Sequence, residues 1–154
     1  MTVDKLTEAR DAALVEFKAT GPAHLNCCQS VLRCSLSVMD GDPDLVLLGR
    51  YFGAGIARMG QVCGTLSGAA LSLGLRDYLI AGHDADASGR TVERMQELVR
   101  AFKAEFGGLT CLELTGFDVS TPEGHAAAKA ADATKNCHLF VSWVCDHVAP
   151  LLAE

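Results

Sequence analysis

The chain is 154 residues long, carries a net charge of −6 and is 49% hydrophobic with a mean hydropathy of +0.21. That is enough apolar material for a single helical domain spanning 1–154, and too much for a disordered chain. The acidic balance and the lack of a Lys or Arg cluster argue against nucleic acid and membrane surfaces as partners, since both need a basic footprint.

The N-terminus from Met1 to Arg10 is charged and periodic, unlike a signal peptide, and the longest weakly charged run is broken by Arg58, Gln61 and glycines, unlike a membrane span. The expected location is cytoplasmic. Seven cysteines are many for a reducing compartment, where disulfides seldom persist. Their number favours metal binding or redox chemistry for some and inert burial for the rest.

In chain order, the periodicity predicts a first helix from about Val3 to Phe17, with Val3, Leu6, Ala13, Leu14 and Phe17 inward. Gly21 and Pro22 end it and open a second helix, Pro22 to Met39, with two apolar stripes. Leu25, Cys28, Leu32, Leu36 and Met39 form one; Cys27, Val31, Cys34 and Val38 form the other. Asp42 as N-cap before Pro43 announces a short helix from Leu45 to Tyr51. The stretch from Tyr51 to Leu75 organises the chain: from Ile56 onward it reads as a helix apolar nearly all round, which belongs in the middle of the molecule. Gly60, Gly64 and Gly68 recur at four-residue spacing and lay a groove along it. Each costs roughly 1 kcal/mol of helix propensity, so their recurrence predicts close approach of another backbone or a bulky group.

Ala81 to Gly89 reads as an exposed polar loop, and Arg90 to Phe106 as an amphipathic helix burying Val92, Met95, Val99, Phe102 and Phe106. Thr110 to Gly116 is a single turn. The last helix is expected from about His125 or Ala133 to Ala149, with Cys137, Val141, Val144 and Val148 on one face. No alternating β-branched run suggests a strand. The fold class is therefore all-α, a compact bundle of about five to six helices around a central glycine-rich apolar helix.

The chain has no dinucleotide loop, Walker loop, nucleophile elbow, His-Glu-x-x-His or Cys-x-x-Cys motif. What remains is a site assembled from cysteines far apart in sequence. His24 and Cys27, one turn apart on the predicted helix, are able to share a metal, although each histidine is more simply a surface residue. Trp143 reads as core or interface.

Asn26-Cys27-Cys28-Gln29-Ser30-Val31-Leu32, then the run from Gly53 to Ala69 with Cys63-Gly64-Thr65-Leu66-Ser67-Gly68, then Phe102 to Gly107, Thr110-Cys111-Leu112-Glu113-Leu114 and Cys137, carry a likeness. Over about residues 26–148 they resemble the bacterial and archaeal C_GCAxxG_C_C family of redox-active proteins. The resemblance implies that Cys27, Cys63, Cys111 and Cys137 are the four family cysteines. Its members are linked with anaerobic metabolism, and the family is similar to part of the split-Soret cytochromes, which carry an iron-sulfur centre. The chain has no Cys-x-x-Cys-His, so covalent haem is not implied. One departure stands out: aligned on Gly68, this chain has Cys63-Gly64-Thr65 where the motif has Gly-Cys-Ala, which turns the thiol by about 100° on a helix.

The implied function is a redox protein holding an iron-sulfur cluster through those four thiolates, with Gly60, Gly64 and Gly68 admitting it close to the backbone, for electron transfer or redox sensing with a redox partner protein. Zinc on the same ligands is the alternative metal. A metal-free dithiol-disulfide oxidoreductase pairing Cys27 with Cys63, or Cys111 with Cys137, is a second class. A helical interaction module, homodimeric through an apolar face near the glycine groove, is a third. Cys28, Cys34 and Cys145 match no family cysteine and read as core residues, Cys28 also as a substitute for Cys27.

Overall fold

The hydroxyl of Thr2 accepts from the Lys5 N–H at 3.2 Å and opens α1 (Val3–Lys18) where the first helix is expected. The computed structural model describes residues 1–81 and 85–154. Among these it comprises seven α-helices and two 3₁₀ segments, its one β pairing being an isolated antiparallel bridge between Val62 and Thr110. The all-α class stands. No helix among the described residues is long and apolar enough to cross a membrane.

The second helix starts later than its pattern suggests. Pro22 lies in a 3₁₀ turn, Gly21–Ala23, and α2 runs Cys27–Met39. The reason is a capping box: the Asn26 side chain accepts from the Gln29 N–H at 2.9 Å while Gln29 Oε1 accepts from the Asn26 N–H at 3.2 Å. The two predicted stripes face two cores. Leu32 and Leu36 pack with Val46, whereas Val31, Cys34 and Val38 join the main cluster. Asp42 caps a 3₁₀ segment, Pro43–Gly49, in place of the short helix.

The largest correction concerns the central stretch. α3 spans Gly64–Ala81, not Ile56 onward. Ala54, Gly55, Ile56, Ala57 and Arg58 all have φ between 50° and 73°, five consecutive residues in the left-handed region. Four of them carry a β-carbon, at a cost of about 1–2 kcal/mol each. Backbone bonds from Ala57 N to Tyr51 O at 2.8 Å and from Gln61 N to Gly55 O at 3.0 Å hold the loop. Gly60 (φ +68°) therefore belongs to this loop rather than to a helical groove, and a β-carbon there would make only ordinary contact, 3.7 Å from Leu112 Cβ.

Gly64 and Gly68 do form the expected close approach. A β-carbon at Gly68 would lie 2.8 Å from Cys28 O and 2.9 Å from Val31 Cβ, and one at Gly64 would collide with Cys27 Sγ. α2 and α3 thus share the centre. α2 packs on α1, on α3 and on α7 (Cys137–Leu152), while α3 packs on α7 and α4 (Ala85–Phe106). Residues 85–89 are the first turn of α4 rather than part of an exposed loop, while 82–84 lie outside the described residues.

α5 (Cys111–Thr115) is the predicted turn, capped by Thr110 and closed by Gly116 at φ 78°. The expected last helix is two: Thr121 caps α6 (Pro122–Ala130), and residues 131–136 turn the chain into α7. Val141, Val144 and Val148 are fully buried as expected, but Val3, at the start of α1, and Val92, within α4, are exposed. Phe102, Phe106, Phe140 and Trp143 pack ring on ring, with centroids 4.8–5.9 Å apart.

The helix contact yields a paired expectation. Gly68→Ala gains about 1 kcal/mol of helix propensity but overpacks against backbone at a cost of about 1–3 kcal/mol, so its melting temperature should fall. Gly74, also in α3, has nothing within 4 Å of a built β-carbon, so Gly74→Ala should raise the melting temperature by about 2–4 °C. Thermal unfolding of both variants checks the sign of each.

Candidate functional site

Segment 60–63 runs antiparallel to 109–112, because Cys63 N donates to Leu109 O at 2.8 Å, Cys111 N to Gln61 O at 2.9 Å and Leu112 N to Gly60 O at 3.2 Å. This places Cys63 beside Cys111, two residues 48 positions apart in the chain. Cys63 also occupies the start of α3, where its carbonyl accepts from Leu66 N at 3.0 Å and Ser67 N at 3.3 Å. Its thiol is therefore not on a helix face, and the one-residue displacement from the family motif does not rotate it away.

Cys27, the first residue of α2, and Cys137, the first residue of α7, complete the group. All four cysteines line one cavity of about 690 Å³. Its wall also includes Gly53, Ala54, Ala57 and Arg58 of the left-handed loop. Asn26 braces that wall, its Nδ2 donating to Gly49 O at 3.1 Å and Arg50 O at 3.0 Å.

The thiols feel one another. Cys63 is pulled down to about 7, chiefly because the Cys111 S–H donates to it, with help from the Thr65 hydroxyl at 3.1 Å and the N–H groups of Thr65 and Leu66, against the opposing effect of burial. Cys111, giving that bond and partly buried, is held far above the ordinary thiol range. Burial, then the charge of Cys63, pushes Cys27 up to about 11, although the N–H of Ala54 donates to its sulfur. Burial, then the charges of Cys27 and Cys63, raises Cys137 to about 12. One site thus keeps three neutral thiols around one ready thiolate.

The other cysteines lie elsewhere. Cys28, turned about 100° from Cys27 along α2, packs against Gly49 and does not line the cavity. Cys34 and Cys145 are fully buried and hydrogen-bonded to each other between α2 and α7. His24 precedes α2, lines the cavity from an exposed position, and places Nδ1 3.0 Å from Phe17 O, so the predicted helical pairing with Cys27 does not form. His147 stacks on Trp143 at the surface, 3.6 Å between centroids.

Sequence reasoning passed over Thr65 and the Ala54 N–H. Thr65 stands where the family motif has alanine, and that substitution was the available signal. Ala54 had none, because it acts through its backbone.

A cysteine-lined cavity of this kind, on an all-helical scaffold that draws the thiols from separate elements, defines a class of small cysteine-rich helical protein. The family model described as "Putative redox-active protein (C_GCAxxG_C_C)" matches residues 25–151. The chain belongs to that family, whose description gives it a redox role. Comparison with curated proteins and with solved structures gives no match.

Two pH-dependent outcomes follow for the metal-free protein. Iodoacetamide should modify Cys63 first, with a rate rising through pH of about 7, and Cys111→Ala should move that rise upward by removing the donor. Stability runs the other way at high pH. Cys63, lowered in the fold, adds stability that is complete above the ordinary thiol value and fades as pH falls through about 7. Cys27, Cys28 and Cys137, raised to about 11–12, and Cys111, raised further, add stability present below the ordinary value and lost as pH rises toward those values. Cys145, also raised, acts in the same sense, and five outweigh one, so the urea midpoint should fall between pH 9 and 11.

Proposed function

We propose that the protein binds an iron-sulfur cluster through Cys27, Cys63, Cys111 and Cys137 and serves single-electron transfer or redox sensing. The observation that carries this reading is the convergence of four dispersed thiols on one cavity. The donor set is the one such clusters take, four cysteine thiolates. Among the described residues no three of His, Cys, Asp or Glu gather around one point in the way a single ion needs. A cluster held here would accept and release one electron at a time.

The chain's own contribution is to orient and shield sulfur. Gly64 leaves room for Cys27 Sγ against the start of α3. The N–H groups of Ala54, Thr65 and Leu66 and the Thr65 hydroxyl are aimed at sulfur, an arrangement that stabilises negative charge there and tunes potential. The low value of Cys63 offers a first thiolate to incoming iron near neutral pH.

A second reading rests on the Cys63–Cys111 hydrogen bond. A Cys63 thiolate displacing one sulfur of a substrate disulfide would form a mixed disulfide, which Cys111, losing its proton, would resolve by releasing the second substrate thiol and leaving Cys63–Cys111 oxidised. This pairing differs from the two expected from sequence.

Anaerobic reconstitution separates the two. On the cluster reading the protein turns brown with matched iron and acid-labile sulfide, and Cys→Ser at Cys27, Cys63, Cys111 or Cys137 loses most of both. Cys34→Ala and Cys145→Ala should keep them. A colourless protein with a Cys63–Cys111 disulfide after oxidation would favour the second reading instead.

A further inference from the structure

The segments that wall the cavity also carry exposed apolar side chains. Tyr51, Ile56, Met59, Val62 and Leu112 are 71, 44, 55, 42 and 47% exposed. Tyr51 lines the cavity, and the other four sit on segments tied to its wall: Ala57 N donates to Tyr51 O, Met59 N to Ile56 O and Leu112 N to Gly60 O, and Val62 is bridged to Thr110. Arg50 and Arg58 line the cavity as well. Neither makes an ion pair with a described residue, and Arg50 sits 5.8 Å from the Tyr51 ring.

Charge distribution singles these segments out. No Asp or Glu occurs between Leu45 and Arg76, in a chain with 19 acidic and 13 basic residues. On the paired segment, Glu113 accepts from the Thr110 hydroxyl at 3.0 Å. The strained loop presents Ile56 and Arg58 outward, and such strain persists where the surroundings enforce a function.

Resting on the redox reading above, we infer that this face docks an acidic electron-transfer protein. Its carboxylates would meet Arg50 and Arg58 while the apolar side chains exclude water over the thiols. A second copy of this chain fits poorly, because a two-fold contact through this face would bring four arginines into one interface with no Asp or Glu from residues 45–76 to offset them. Two arginines on an acidic chain are also too few for nucleic acid or an anionic bilayer. Small, charge-steered contacts of this type are usual for electron-transfer encounters.

An acidic [2Fe–2S] ferredoxin is the probe, with calorimetry for affinity and hydrogen exchange for location. Binding should weaken about tenfold between about 50 mM and 0.3 M salt. Arg50→Glu with Arg58→Glu should weaken it at least as much, and Arg50→Lys with Arg58→Lys should keep both binding and salt dependence. Met59→Ser should weaken binding and leave the salt dependence unchanged. Protection should fall on residues 50–62 and 109–113, and thermal melts show whether each variant is folded. Absent binding, binding indifferent to salt and charge reversal, or protection elsewhere overturns the inference. Self-association that Met59→Ser abolishes overturns it too, in favour of a second copy. None of these readouts depends on iron, so a failed docking face and a failed cluster assignment are distinguished.

Discussion

Where Gly64 and Gly68 meet α2, two helices touch with no room for a β-carbon, and the placement of the thiols follows from that contact. Close packing there sets the start of α3 against the start of α2, so Cys63 and Cys27 come to the same end of the bundle. α7 packs on both helices and brings Cys137 to that end as well. Cys111 arrives separately, through the paired backbone of 60–63 and 109–112. Thiolate character gathers on Cys63 alone, where the Cys111 S–H, the Thr65 hydroxyl and the N–H groups of Thr65 and Leu66 at the start of α3 all face one sulfur.

The left-handed loop is the costly part of this architecture. Its four residues with β-carbons in unfavourable conformations are tolerated because Asn26, the backbone bonds around it and the packing behind it determine its path. In return, Ala54 directs an N–H at Cys27 and the loop closes one wall of the cavity. The remaining thiol pair, Cys34 and Cys145, shows the contrast: also hydrogen-bonded, but buried between helices and absent from the cavity lining, it packs as core.

Much of the bundle was legible because helical periodicity and caps are local. α1, α5 and the two stripes of α2 follow their patterns, and Gly68 was readable as a contact. The start of α3 was not, because residues 54–63 have the apolar composition of a helix and the left-handed turn leaves only Gly55 and Gly60 as signals. The same error put Gly60 in the groove. Pro22 as a helix start was overridden by the stronger capping box four residues on. Within the site, the four cysteines came from the family resemblance, and no spacing rule joins them. The hydrogen bond between Cys63 and Cys111 depends on backbone pairing across 48 residues, which no local pattern encodes.

The central claim is that four separate thiols hold one polynuclear centre. Its most direct test is an anomalous difference map at the iron edge from anaerobically grown crystals of the reconstituted protein. The account predicts iron peaks in the cavity, bonded to the Sγ atoms of Cys27, Cys63, Cys111 and Cys137. A cavity without iron, a single zinc peak, or iron held by other residues would contradict it.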